Sequence, residues 1–139
     1  MAFSVRSVEY FYTRVEDEPG NAYELLAQLA SKEVNLLAFS AVPYGSDQVE
    51  LTIFPEQSDN LLRTGEENGW ILTGPQHACL IEGDDQLRAL ALVHKTLLDA
   101  GVQIYASSGV ADSTGRFGYV IYFKEGDHAA TADALDSLR

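Results

Sequence analysis

Five residues of this 139-residue chain, Asp17-Glu18-Pro19-Gly20-Asn21, combine types and spacing that suit the binding of a small charged molecule. They stand where a tyrosine-rich run gives way to a helical pattern, and a helix start presents backbone amides that lack intrahelical partners. Pro19 fits a first helical turn, where a missing N–H costs nothing, and Gly20 has no Cβ to keep a ligand from the backbone. The amides of Gly20, Asn21 and Ala22 are then expected to hold a carboxylate at the positive end of the helix dipole. Glu16, Asp17 and Glu18 line the same turn and suit an ammonium group. A zwitterion satisfies both halves, whereas a phosphate or dicarboxylate meets an acidic lip. The plain alternative is that Asp-x-Pro-Gly is an ordinary way to leave a strand and begin a helix.

The elements that must position this turn follow from periodicity. Val8 to Thr13 is rich in aromatic and β-branched residues and predicts a strand. Ala22, Leu25, Leu26 and Leu29 recur at helical spacing. Asn35 to Val42 and Val49 to Phe54 read as strands joined by a hairpin turn at Pro43-Tyr44-Gly45-Ser46-Asp47. A second helix is predicted from about Ser58 to Glu67, capped by Ser58 or Asp59, and Trp70 to Thr73 reads as a short fourth strand.

An offset of 68 residues reproduces this plan without a gap. It carries Asp17 onto Asp85, Leu25 onto Val93, Leu29 onto Leu97, Ile53 onto Ile121 and Asp59 onto Asp127. Identities are few, but the apolar phase coincides across strand, helix and hairpin, and phase decides which face is buried. The expected fold class is α+β: two tandem ferredoxin-like (βαββαβ) units, residues 1–74 and 75–139, each an antiparallel sheet with its helices on one face. Two such units hold eight strands, of which the chain is expected to supply seven. The second unit reaches Arg139 where its last strand would begin, so an edge stands open. Ala2-Phe3-Ser4-Val5, a partner chain and a truncated end are three separate accounts of it.

The second copy of the turn, Asp84-Asp85-Gln86-Leu87-Arg88, has lost Pro-Gly. Either it is a degenerate site kept for structure, or Asp85 stays in the site while the Arg88 guanidinium replaces amide contacts to a carboxylate. Other constellations do not amount to chemistry. His77, His94 and His128 are far apart with no His or Cys at ligand spacing, so no metal is expected. The single cysteine, Cys79, lies in an apolar run and reads as a buried inert thiol. Gly109 to Arg116 superficially resembles a phosphate loop but lacks the Gly-Lys-Ser/Thr ending, and the repeat makes it a hairpin. With no paired acid, base or nucleophile, a small enzyme is the weakest reading, and no cofactor is expected.

Composition removes further classes. The net charge of −12 leaves no basic track for nucleic acid and disfavours anionic membranes. No apolar run approaches the roughly 20 residues a bilayer-spanning helix needs. The N-terminus lacks the apolar core of a signal peptide. A soluble, cytoplasmic protein is expected.

At the turn the sequence resembles the ACT domain family, through Asp17-Glu18-Pro19-Gly20, Leu25, Leu29 and the aliphatic-Asn-aliphatic start Val34-Asn35-Leu36. The resemblance spans nearly the whole chain as two copies. The second rests mainly on Asp85, Leu90, Val93, Leu97 and Ala100-Gly101-Val102-Gln103-Ile104. It implies a stand-alone tandem regulatory protein that binds a small ligand, most often an amino acid. In such domains units pair side by side, the ligand lies against the turn, and Asn35 and Leu36 supply the facing strand surface. A homodimer is expected because open sheet faces and edges need cover, and the sequence names no regulated enzyme. The competing class is a protein–protein interaction module with no small ligand.

Overall fold

In the computed structural model the described residues are 3–84 and 86–138. They form β1 (Phe3–Glu16), α1 (Asn21–Ser31), β2 (Leu36–Tyr44), β3 (Gln48–Pro55), α2 (Ser58–Asn68), β4 (Thr73–Gly83), α3 (Gln86–Asp99), β5 (Ile104–Ala111), β6 (Phe117–Phe123) and α4 (His128–Asp136). The class is α+β, with six strands and four helices among the described residues. No helix among them is long and apolar enough to cross a membrane.

The seventh strand expected over Trp70–Thr73 does not form. Gly69 ends α2 in the left-handed region, and the N–H groups of Gly69 and Trp70 turn back to the carbonyls of Glu66 and Gly65. Trp70 and Leu72 pack on the adjacent core, and strand geometry starts only at Thr73. From there β4 runs on to Gly83, so one strand stands where the sequence suggested two.

The chain gathers into two compact units, 9–76 and 3–8 with 77–138. The division falls after Gln76, not after residue 74, and the first strand is divided as well. In unit 9–76 the strand order is β2-β3-β1-β4, using the later residues of β1 and the first of β4. In the other unit it is β5-β6-β4-β1, with Phe3–Val8 as the fourth strand. The open edge is thus filled by the N-terminal stretch; Val5 is buried in that core and Phe3 packs against it, while Ala2 lies outside the described residues.

Each unit has its own core, made by the apolar phases read from the sequence. In unit 9–76, Leu25 and Leu29 of α1 and Leu61 of α2 bury against Phe11, Leu51 and Ile53. In the other unit, Val93 and Leu97 of α3 and Leu135 of α4 bury against Cys79, Ile81 and Ile121. Each such side chain contributes about 1.5–3 kcal/mol by leaving water.

The offset of 68 holds through the strands. Leu36 falls on Ile104, Pro55 on Phe123, and the bulge between Leu36 and Ala38 on the one between Ile104 and Ala106. Beyond Phe123 it slips to 70. A 3-10 turn over Glu125–Asp127 precedes α4, so Ser58 corresponds to His128, and the buried Leu61 and Gly65 correspond to Thr131 and Leu135. The expected match of Asp59 with Asp127 is therefore corrected: burial phase, not residue identity, sets the register.

Gly109 to Arg116 belongs to the β5–β6 hairpin. At its tip one oxygen of Asp112 accepts from the Thr114 hydroxyl at 2.6 Å, the Thr114 N–H at 2.8 Å and the Arg116 N–H at 3.2 Å. The Thr114 hydroxyl, followed by its N–H, holds this carboxyl below the ordinary carboxylate range. A lowered folded-state value means the contribution is complete above the unfolded value and is lost as pH falls through the folded one. A carboxyl-detected NMR titration is expected to place Asp112 below its ordinary midpoint, and Thr114→Ala to move it back up. An ordinary midpoint in the parent protein would refute the turn geometry.

Candidate functional site

The turn after β1 is held by backbone hydrogen bonds and one side chain. The Asp17 N–H donates to the Asp47 carbonyl at 2.8 Å, tying the turn to the β2–β3 hairpin. The Glu18 N–H and the Asn21 Nδ2 both donate to the Glu16 carbonyl at 2.8 Å. Helix α1 starts at Asn21, with Gly20 as its N-cap at φ 94°. Pro19 is therefore in the turn, not in the first helical turn where the sequence places it. The positive φ at Gly20 breaks the helical path.

Gly20 earns its place through that φ, which side chains with a Cβ adopt at a cost of about 1–2 kcal/mol. Crowding plays no part, because a Cβ there would meet nothing within 4 Å. The surroundings of Gly20 are thus open and not plugged by the protein's own side chains. Of the three amides expected to face a ligand, that of Asn21 is turned to the Glu18 carbonyl at 3.3 Å. No side chain caps α1, and the first intrahelical bond runs from the Glu24 N–H to the Gly20 carbonyl. The amides of Ala22 and Tyr23 therefore lie in the first turn without a capping partner.

Beside this helix start a cleft of about 410 Å³ is lined by Thr13, Val15 and Glu16 of β1, by Asn21, Glu24, Leu25 and Gln28 of α1, and by Asn68 and Trp70. Two carboxylates, a hydroxyl and three amides give it a polar wall, and Val15, Leu25 and Trp70 an apolar one. No Lys or Arg is among these lining residues. Of the three acidic residues the sequence placed at the turn, Glu16 lines the cleft, together with Glu24 of α1; Asp17 and Glu18 are exposed and do not line it.

The other expected site residues are not gathered here. Asn35 and Leu36 line a separate open depression with Leu26, Leu29, Ala30, Glu33 and Val34. Helix α1 lies between them and the turn, a length of about 16 Å at 1.5 Å per residue. Neither residue lines the cleft beside the turn. Asp85 lies outside the described residues. Arg88 is exposed in the first turn of α3. That helix starts at Gln86, three residues earlier than α1 at the same offset, because Leu87 and Arg88 accept helical geometry where Pro19 and Gly20 do not.

Sequence reasoning missed Glu24 and Gln28, though their spacing from Asn21 places all three on one stripe of a helix. Thr13, Asn68 and Trp70 carry no such signal; only packing brings them together. Packing also gathers His77 and His128, which sequence spacing had set apart: their rings stack with centroids 4.1 Å apart. Cys79 is buried, as expected.

An α+β arrangement of six strands and four helices matches the ACT-like fold that the turn motif led one to expect. Neither a family model nor a curated protein sequence matches the chain. Solved structures do. The protein BT0572 of Bacteroides thetaiotaomicron is 19% identical with a TM-score of 0.80, over 96% of this chain and 90% of that one. The ligand-free regulatory subunit of aspartate kinase from Thermus thermophilus is 14% identical with a TM-score of 0.65, over 97% and 95%. The same subunit from Thermus flavus is 15% identical with a TM-score of 0.59, over 98% and 94%. At such identities the likeness is one of fold.

Proposed function

We propose that this chain is a non-enzymatic regulatory protein of two tandem ACT-type units, and that it binds an amino acid or a similar zwitterion at the turn of unit 9–76. The carrying observation is the uncapped start of α1 beside an acidic cleft with no cation in its lining. The first-turn amides of Ala22 and Tyr23 would take the carboxylate, and Glu16 and Glu24 the ammonium group. Its neighbours in fold include regulatory subunits of aspartate kinase, which supports a regulatory role. Ligand would act by binding one packing or oligomer better than another. A homodimer is the proposed partner, with Asn35 and Leu36 of a second copy facing the bound ligand.

Trp70 is the chain's single tryptophan and lines the cleft, so its emission reports occupancy directly. In a screen of the twenty amino acids we expect at least one to shift that emission and to raise thermal stability, by about 2.7 kcal/mol at 100 times its Kd. Glu24→Gln should weaken that ligand by about 10-fold or more, the loss of one charge-assisted bond. Arg88→Ala should leave it unchanged. Silence of both readouts with every amino acid, or preference for a dianion, would overturn the proposal.

One observation favours a second reading. Val42 and Tyr44 are exposed on β2, an outer strand of its unit, and could recruit another protein by strand addition. A stable complex in pull-down that Val42→Lys abolishes, together with no amino-acid response, would select it.

A further inference from the structure

We propose that His77, Glu125 and His128 form a binding site for a divalent transition-metal ion of the zinc type. All three belong to the unit of residues 3–8 and 77–138, so this site is independent of the ligand cleft.

The internal repeat isolates what is special here. At the corresponding positions of unit 9–76 stand Glu9 and Ser58, which close on each other through a hydrogen bond of 2.6 Å from the serine hydroxyl. In this unit the same two places hold imidazoles. The 3-10 turn that shifts the repeat from 68 to 70 residues adds the third group, Glu125. Unit 9–76 has no such turn between β3 and α2. This two-residue slip in the repeat thus delivers a carboxylate to a pair of histidines.

The distances suit an ion. The His77 N–H donates to Glu125 Oε1 at 2.8 Å and fixes the carboxylate. His77 Nδ1 then lies 3.2 Å from both carboxylate oxygens. Two ligands each about 2.1 Å from one metal, at octahedral or tetrahedral angles, stand about 3.0–3.4 Å apart. One ligand atom from each of the three residues lies within 4.8 Å of the others. The imidazole planes are inclined by only 11°, so one ring must turn about its outer torsion to aim at the same point. His77 and Glu125 keep 29% and 49% of their side-chain surface in solvent, which leaves room for that rotation and an entry path. The Ser7 hydroxyl, 3.0 Å from His128 Nε2, can orient that ring from behind.

Two imidazoles and one carboxylate suit zinc, cobalt or nickel, whereas calcium and magnesium take oxygen ligands. Three protein ligands leave a coordination position for water. Bound metal would clamp the start of α4 to β4.

The test is a titration of chelator-treated full-length protein with zinc chloride by calorimetry, repeated with cobalt for its ligand-field absorption. One equivalent per chain is expected, with a rise in the thermal midpoint. His77→Ala/His128→Ala should weaken zinc by about 100-fold or more, two of three ligands being lost. Glu125→Gln, a change at a half-exposed position that the fold can absorb, should weaken it by about 10-fold. His94→Ala should leave it unchanged. No zinc uptake by the parent protein, uptake unaltered by either ligand variant, or equal loss in His94→Ala would each overturn the site.

Discussion

Replacing Phe11 by alanine is expected to lower stability by about 3–5 kcal/mol, the range for deleting a fully buried aromatic ring. Phe11 is wholly shielded from solvent and stands opposite Ile53 in the β1–β3 pairing. Leu25 and Leu29 of α1 and Leu61 of α2 share its core, so the cavity would open beneath both helices that cover the unit. The surrounding residues sit on strands and helices that hold them in place, which limits collapse into the void. Urea unfolding followed by circular dichroism measures the loss; a change under 1 kcal/mol would mean that Phe11 is not central to this core. The effect reaches function, because Phe11 lies on the strand that delivers Thr13, Val15 and Glu16 to the cleft.

A single added methyl is expected to do nearly as much damage at Gly74. Gly74 has φ 141°, a region in which L side chains are strained, and a Cβ there would lie 2.8 Å from the Tyr10 carbonyl oxygen and 2.9 Å from the Phe11 ring. The first of these atoms is backbone and cannot swing aside. Gly74→Ala should therefore cost about 3 kcal/mol, from overpacking and backbone strain together. Gly20→Ala makes the control, with open space around the new methyl and a loss of only about 1–2 kcal/mol from its φ alone. If the two variants proved equally stable, the close approach of β4 to β1 at Gly74 would be wrong. In the double variant Phe11→Ala/Gly74→Ala the costs should add to less than their sum. Removing the ring relieves one of the two contacts, and neighbouring sites couple by 0.5–3 kcal/mol as a rule.

The fold was legible wherever a local pattern had one structural solution. Leu25 and Leu29 at helical spacing, and Leu51 and Ile53 at strand spacing, are buried as their phases demand. The β5–β6 hairpin was legible through the repeat even though its loop looked like a phosphate binder. Legibility failed where the same residues satisfy two patterns. Trp70-Ile71-Leu72 has strand composition, yet the left-handed Gly69 and burial of Trp70 and Leu72 hold it irregular. The two-residue slip before α4 was invisible because Asp127 matches Asp59 in identity, and only the burial of Thr131 and Leu135 exposes the shift.

The site divides along the same line. The sequence located the turn at Gly20, since a glycine before an amphipathic helix is a local signal. It assigned the acidic role partly to Asp17 and Glu18, because neighbours in sequence look like neighbours in space. Glu24 lines the cleft, one helical turn along from Asn21, whereas Asp17 and Glu18 do not.

The chain by itself therefore determined what depends on short range: element types, their buried faces, the repeat, and one turn that a side chain with a Cβ would strain. Tertiary structure alone decided which strand completes which unit, where Trp70 and Thr13 meet α1, and that His77 reaches Glu125 across 48 positions of sequence. The physical reason is that backbone conformation and hydrophobic phase act between near neighbours. Contacts made across long loops cost little more entropy than those across short ones, so packing, not spacing, chooses among them.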